Sequence, residues 1–178
     1  RKALAPLTTE GMLMRGRKTG TVVTGWAPLH NLSHFFHYFR LHDKSGGLLQ
    51  SETRLLEYQH SRASADEADK LQIAPGDAVI RLKRLRRVKG IAAMHETLVL
   101  PAARLPDFPP AEQLPQLLYR YLFEQYDVRV AAVREQNSAT LATEEDASLL
   151  ELALPHAVMV IDEVSFDQSA TPVILAHH

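Results

Sequence analysis

The sequence predicts an α+β domain, with a central sheet, flanking helices and an internal repeat, and two observations support this fold class. First, strand-like and helix-like patterns alternate along most of the chain. Second, a gap-free shift of 79 residues (143 − 64) brings similar segments together, which indicates a duplicated unit, although chance matches between common residues are the alternative. The matched pairs include Ser64 with Thr143, Leu71 with Leu150, and Ala78-Val79 with Ala157-Val158.

The composition limits the class of protein. The 178 residues, 46% of them hydrophobic, are enough for one sizeable core and a fragment of a second domain. The 20 basic and 21 acidic side chains nearly cancel, so contact with nucleic acid would need a local patch. Cysteine is absent and no apolar run approaches the roughly 20 residues that span a bilayer. We expect a soluble cytoplasmic protein without disulfides.

The first 25 residues predict the end of a helix followed by a small hairpin. Apolar residues have helical spacing over residues 1–12, and the chain begins within this pattern, so we expect missing upstream sequence. Residues 13–15 and 21–24 then flank a turn over 16–20. A helix followed by a hairpin is half of a winged helix. Its basic tip predicts contact with DNA phosphates, and a solvated turn is the alternative. The tip comprises Arg15, Arg17, Lys18 and Thr19.

Residues 26–178 have a different pattern of strand and helix signals, which predicts one larger domain. Period-two patterns give its strands, and Ser64 with Glu67 forms a capping-box signature that opens a helix. The elements predicted in order are strands over 35–41 and 53–59 paired as a hairpin, a helix over 64–72, strands over 78–88 and 92–100, a helix over 111–126, a strand over 129–141, and a second helix–turn–strand unit.

The strongest local signal lies in the strand predicted over residues 78–88. Its two-residue period places Arg84 and Arg86 on an otherwise apolar face. Burying a guanidinium is costly unless it meets a carboxylate or an anionic ligand, so this face predicts an anion-binding pocket. The opposite face, which we expect to be solvated, carries Arg81, Lys83, Leu85 and Arg87, whereas Ile80, Leu82 and Val88 accompany the two arginines.

Glu96 is the predicted partner of Arg84. A three-residue loop, Lys89-Gly90-Ile91, places the two side chains opposite each other, whereas a two-residue loop would put Glu96 on the other face. Glu96 would then orient Arg84 or accept hydrogen bonds from ligand hydroxyls. The alternative is a solvated edge strand with an ordinary cross-strand ion pair, which stabilises little.

The sequence favours neither a metal site nor the active site of an enzyme. His30, His34 and His37 have the spacing of a helical metal site, but the aromatic, strand-like run that surrounds them opposes a helix and no carboxylate lies at ligand spacing. Nucleophile-elbow, P-loop and dinucleotide-binding motifs are also missing. We therefore expect neither a metal nor a cofactor, and no catalytic residue.

Two stretches of the chain resemble GntR superfamily regulators of the HutC type. Residues 1–23, with Glu10-Gly11-Met12-Leu13 and Gly20-Thr21-Val22-Val23, resemble the end of the recognition helix and the wing of the GntR winged helix. The later residues are similar to the effector-binding unit of these regulators, the UTRA domain. The matching pattern is Leu71, Pro75-Gly76-Asp77-Ala78-Val79, Arg84, Arg86, Gly90, Glu96, Leu100-Pro101, Leu118-Tyr119, Ala147 and Leu150.

The resemblance implies a chorismate-lyase-like fold, an antiparallel sheet with flanking helices and an internal pseudo-repeat. It also implies a homodimer that binds a small effector and operator DNA. Its implied effector-binding residues are Arg84, Arg86, Glu96, Phe39 and Arg40.

Two positions depart from the family's pattern. Leu117 stands where a serine is frequent, and Ile174 lies near the position of a frequent acid, so we expect an effector other than the one those residues serve. The origin of His177 and His178, native or tag-derived, stays open.

We therefore predict a ligand-responsive transcription regulator, a repressor, with part of the winged helix over residues 1–25 and a UTRA domain over 26–178, C-terminal truncation being one option. A small anionic metabolite would shift the equilibrium between two orientations of the DNA-binding domains. The rivals are a chorismate-lyase-like enzyme on the same fold and an interaction module without a ligand.

Overall fold

The computed structural model describes residues 13–16, 20–23, 44–45, 49 and 51–178, and the last of these ranges forms a six-stranded antiparallel sheet with flanking helices. This arrangement confirms the predicted α+β class. A separate two-stranded sheet precedes it, with β1 over Leu13–Gly16 and β2 over Gly20–Val23. The larger sheet comprises β3 Ser51–Arg62, β4 Ala78–Val88, β5 Ile91–Pro101, β6 Val130–Leu141, β7 Ala157–Asp167 and β8 Pro172–His177. The helices are α1 Ala65–Leu71, α2 Leu118–Tyr126 and α3 Glu144–Leu150, with 3₁₀ turns at Ala102–Arg104 and Ala111–Gln113.

The N-terminal hairpin forms as the sequence predicts. Leu13 pairs with Val23 and Gly16 with Gly20, so the backbone of Arg15 lies on β1 near the tip. The helix predicted over residues 1–12, the tip residues 17–19 and the strand predicted over 35–41 lie outside the described residues. The winged-helix interpretation of residues 1–25 stays a prediction.

The internal duplication is confirmed by the element boundaries. β3 and β6 begin at residues 51 and 130, α1 and α3 at 65 and 144, and β4 and β7 at 78 and 157, each 79 residues apart. Ser64 and Thr143 both form complete capping boxes, and both helices end on a left-handed residue, Gln72 or Glu151. We call residues 51–101 the first half and residues 130–178 the second half.

The sheet order β3-β4-β5-β8-β7-β6 places the pseudo-twofold axis between β5 and β8. Helices α1 and α3 lie on one side of the sheet, the outer face, and each packs on a strand of the other half, α1 on β8 and α3 on β5. The opposite side, the inner face, packs against α2. The two halves are therefore interlocked, not simply set side by side.

Each face of the sheet has its own apolar core. The larger one lies on the inner face, where Leu118 and Leu122 of α2 pack on buried side chains of β4, β5 and β8. The smaller one lies on the outer face, where Ala68 and Leu71 of α1 pack with Val79 and Val99. No helix among the described residues is long and apolar enough to cross a membrane.

Two sequence predictions about this fold were wrong. The helix predicted over residues 111–126 is a 3₁₀ turn followed by the shorter α2, because Pro115 disfavours helical geometry at Leu114 and that residue is extended. The face of β4 expected to be solvated is instead partly covered by the outer-face helices. Leu85 is buried there, and Arg81 pairs with Glu67 of α1 at 2.6 Å.

Candidate functional site

The β4–β5 hairpin places Arg84 opposite Glu96, but by a different route from the one predicted. Its loop has two residues, Lys89 and Gly90, both with positive φ as a type I′ turn requires. A β-bulge then shifts the register between Arg86 and Arg87. The expectation that a two-residue loop would move Glu96 to the other face was wrong, because the extra residue of the bulge restores the alternation.

Glu96 binds both arginines of the inner face. Its Oε1 lies 2.5 Å from an Arg84 terminal nitrogen and 3.2 Å from Arg86 Nε. All three side chains are buried, with 0% exposure for Glu96. β3 pairs with the far side of β4, so β4 is an inner strand and the solvated-edge interpretation is wrong.

The second half and α2 add four polar residues to the same buried region. Ser165 of β7 donates a hydrogen bond to Glu163 Oε1, and the Tyr119 hydroxyl from α2 lies 3.4 Å from both side chains. His178 joins the two acids, with Nδ1 3.0 Å from Glu96 Oε2 and Nε2 3.4 Å from Glu163 Oε2. We call the whole set the buried polar cluster: Arg84, Arg86, Glu96, Tyr119, Glu163, Ser165 and His178.

The charges of the cluster set its protonation. Burial alone would raise the pKa of Glu96, but the positive charges of Arg84 and Arg86 and the contact with His178 outweigh it and lower the pKa to about 2. Burial would likewise lower the pKa of His178, yet Glu163 and Glu96 raise it above its usual value. Burial raises the pKa of Tyr119 well above its usual value. At neutral pH, Glu96 is therefore a carboxylate and Tyr119 a neutral phenol.

The Arg84 guanidinium is not fully satisfied by these contacts. Burial lowers its pKa, although an arginine still stays charged at neutral pH. Its Nε is inaccessible to solvent and has no hydrogen-bond partner among the described residues. Because an unsatisfied buried donor costs about 1–3 kcal/mol, this nitrogen favours the approach of an acceptor from a bound molecule.

Three of the sequence-predicted site residues, Arg84, Arg86 and Glu96, are brought together by the structure. Phe39 and Arg40 lie outside the described residues, as do Arg17, Lys18 and Thr19 of the basic tip.

Sequence reasoning missed the four other members of the cluster. Two of them, Glu163 and Ser165, could have been found from the sequence, because the 79-residue repeat makes them the equivalents of Arg84 and Arg86. Tyr119 belongs to the Leu118-Tyr119 pair of the UTRA pattern, which could have marked it, whereas His178 reaches the cluster through the central position of β8, which no local pattern indicates.

Comparison with known proteins identifies relatives of this chain. The sequence profile of the UTRA domain matches residues 48–178. A curated protein of Shigella flexneri, named "probable fructoselysine utilization operon transcriptional repressor", is 26% identical over 176 residues, which cover 97% of this chain and 70% of that protein.

Solved structures share the fold. The ligand-binding domain of a GntR-family transcriptional regulator from Bordetella bronchiseptica superposes with a TM-score of 0.72 at 22% identity, covering 77% of this chain and 86% of that one. The regulator PhnF from Mycobacterium smegmatis superposes with a TM-score of 0.67 at 21% identity, covering 99% of this chain and 76% of that one.

Proposed function

Because the chain belongs to the UTRA domain family, we propose that it is the effector-sensing part of a ligand-responsive GntR-type transcription regulator, in which a small anionic metabolite binds at Arg84, Arg86 and Glu96. The observation that carries the proposal is the pair of buried guanidiniums on one carboxylate, with Arg84 Nε left unsatisfied. Arginine presents a planar fork that suits carboxylate and phosphate groups.

The chemistry of the cluster favours binding over catalysis. A carboxylate with a pKa of about 2 is a weak proton acceptor at neutral pH, and Glu96 is further held by two arginines. The Shigella relative is named as a repressor, so we propose repression of transcription in the cytoplasm for this regulator too. Phe39 and Arg40 complete the proposed ligand contacts.

The remaining parts of the proposal concern assembly. The regulator acts as a homodimer whose winged helices bind operator DNA, with Arg15, Arg17, Lys18 and Thr19 at the wing tip in contact with phosphates. Effector binding changes the populations of two orientations of these winged helices. The fructoselysine named for the relative is one ligand to try, since it carries a carboxylate.

Thermal unfolding of the chain with a panel of anions tests the proposal. The panel contains inorganic phosphate, sugar phosphates, short carboxylic acids and fructoselysine. A ligand at 100 times its Kd stabilises the folded state by about 2.7 kcal/mol, which raises Tm by roughly 5–10 °C. We expect Arg84→Ala to abolish the shift. Lys83→Ala, on the outer face of the same strand, is the matched control and keeps it. An undiminished shift in Arg84→Ala would overturn the assignment.

A further inference from the structure

The two halves of the duplication place opposite charges at equivalent positions of the cluster. The 79-residue shift relates Arg84 on β4 to Glu163 on β7, and Arg86 to Ser165. All four side chains are buried on the inner face of the sheet. The cluster therefore has a cationic pole from the first half and an acidic, hydroxyl-bearing pole from the second.

The poles lie across the pseudo-twofold axis from each other. β5 and β8 separate β4 from β7, so three interstrand spacings, about 14 Å, lie between the two backbones. The side chains bridge this distance through a chain of contacts from Arg84 to Glu96, from Glu96 to His178 and from His178 to Glu163.

Each pole contains a buried atom without a hydrogen bond from the described residues. At the cationic pole it is a donor, Arg84 Nε, and at the acidic pole an acceptor, Glu163 Oε2, which has an ion-pair contact with His178 Nε2 at 3.4 Å. A purely anionic ligand satisfies the first atom and leaves the second with its long ion-pair contact to His178. A ligand that also carries an ammonium group satisfies both, because a protonated amine donates to carboxylate and hydroxyl oxygens.

We propose that the ligand of this site is bipolar, with a carboxylate or phosphate bound by Arg84 and Arg86 and a protonated amine bound by Glu163 and Ser165. This inference rests on the proposed function, since it assigns a chemical class to the effector of the same cluster. The Tyr119 hydroxyl, 3.4 Å from both Glu163 and Ser165, is the third oxygen available to the amine.

Matched probes that differ only in the amine test the proposal. Calorimetric titration of the chain compares 5-aminopentanoate with pentanoate and 6-aminohexanoate with hexanoate. We expect the amino acid of at least one pair to bind about tenfold more tightly, the size of one charge-assisted hydrogen bond. Glu163→Gln removes this preference, so that 6-aminohexanoate and hexanoate bind to this variant with similar affinity. Equal affinities in both pairs would overturn the proposal.

Two further variants keep the result interpretable. Asp162→Asn, the exposed neighbour on the same strand, is the matched control and retains the amine preference. Ser165→Ala lowers the preference for the amine without removing a charge. Ser165→Ala takes the place of Glu163→Gln in the test if circular dichroism shows that Glu163→Gln is unfolded. A preference that persists in the folded acidic-pole variants contradicts the proposal.

The outcomes also separate the two proposals. If both members of each pair bind equally and Arg84→Ala abolishes both, the anion site stands and the bipolar ligand is wrong. If no probe, including inorganic phosphate and the anions of the larger panel, stabilises or binds the chain, both proposals are wrong.

Discussion

Helices α1 and α3 occupy equivalent places in the two halves, yet different forces hold them. Ala68 and Leu71 of α1 are each 1% exposed, whereas their counterparts Ala147 and Leu150 are only half-buried. In α3 no residue is fully buried. The same capped backbone is therefore closely packed by apolar contacts in one half and less so in the other.

Charged contacts replace the missing apolar ones. Glu145 and Glu151 in and after α3 pair with Lys83 and Arg87 of β4, and Asp146 lies 2.7 Å from His95 of β5. Lys83, Arg87 and His95 follow or precede members of the buried polar cluster along the chain, because alternate residues of β4 and β5 point to opposite faces. The comparison teaches that a duplicated helix keeps its position while its contacts with the sheet change from mainly apolar to mainly polar.

The largest expected difference between the halves comes from truncating equivalent leucines. Leu71→Ala creates a cavity in the outer-face core and lowers the free energy of unfolding by about 3 kcal/mol. Leu150→Ala removes a half-buried side chain and costs about 1 kcal/mol. Urea unfolding of both variants measures the difference, and equal losses would contradict the comparison.

The pH dependence of stability tests the comparison at the acids of the two capping boxes, Glu67 and Asp146. The hydrogen bond from Arg81 is the main cause that lowers the pKa of Glu67 to about 2. The hydrogen bond from the Thr143 backbone N–H is the main cause that lowers the pKa of Asp146, also to about 2. Both values lie below the ordinary ones, so the stabilisation is complete above about pH 4.5 and is lost as the pH falls towards 2.

Neutral variants of these acids measure that loss. We expect Glu67→Gln and Asp146→Asn each to flatten the dependence of unfolding free energy on pH between 4.5 and 2, by on the order of 1–2 kcal/mol. Asp69→Asn, at an exposed position of α1, is the control for the loss of a carboxylate from the helix. An unchanged slope in either of the first two variants would show that the cap does not titrate in this window.

At the capping hydroxyls of Ser64 and Thr143, we expect equal losses of stability in the two halves. Ser64→Ala and Thr143→Ala each remove the acceptor for the N3 backbone N–H, and each costs about 1 kcal/mol. Thermal unfolding of the two variants gives the values. A loss in one variant alone would mean that one helix frays in the wild-type protein.

The smallest effect concerns the salt bridges of α3. Glu145 and Glu151 are more than half exposed, so the double variant Glu145→Gln/Glu151→Gln loses less than about 1 kcal/mol in low salt. We expect this loss to disappear in 1 M NaCl, where charges on the surface are screened. Glu112→Gln, away from both helices, is the control.

Much of the fold follows from local sequence signals. Ser64 with Glu67 marks the start of α1, the turn Pro75-Gly76-Asp77 sets the start of β4, and the 79-residue shift reveals the pseudo-symmetry. Pro115 also carried a signal, because a proline disfavours helix in the residue before it, and the length predicted for α2 did not take this into account.

The site was less predictable because it depends on sheet order and on a bulge. Arg84 and Glu96 were found from alternation, but the bulge that aligns them depends on backbone packing that no residue type indicates. Glu163 and Ser165 enter the cluster because β8 lies between β5 and β7, which sequence alone does not specify.

The exchange of helices between the halves has a consequence for folding kinetics. Helix α1 packs on Val79 and Val99 of its own half and also on β8, and α3 packs on β5, so each helix completes its contacts only when the other half is present. The contact between α1 and β8 spans roughly a hundred residues and that between α3 and β5 about fifty, and contacts at such sequence separations raise the contact order and slow folding. We expect a single cooperative transition, and during synthesis the contact of α1 with β8 stays unmade until β8 has been added to the chain.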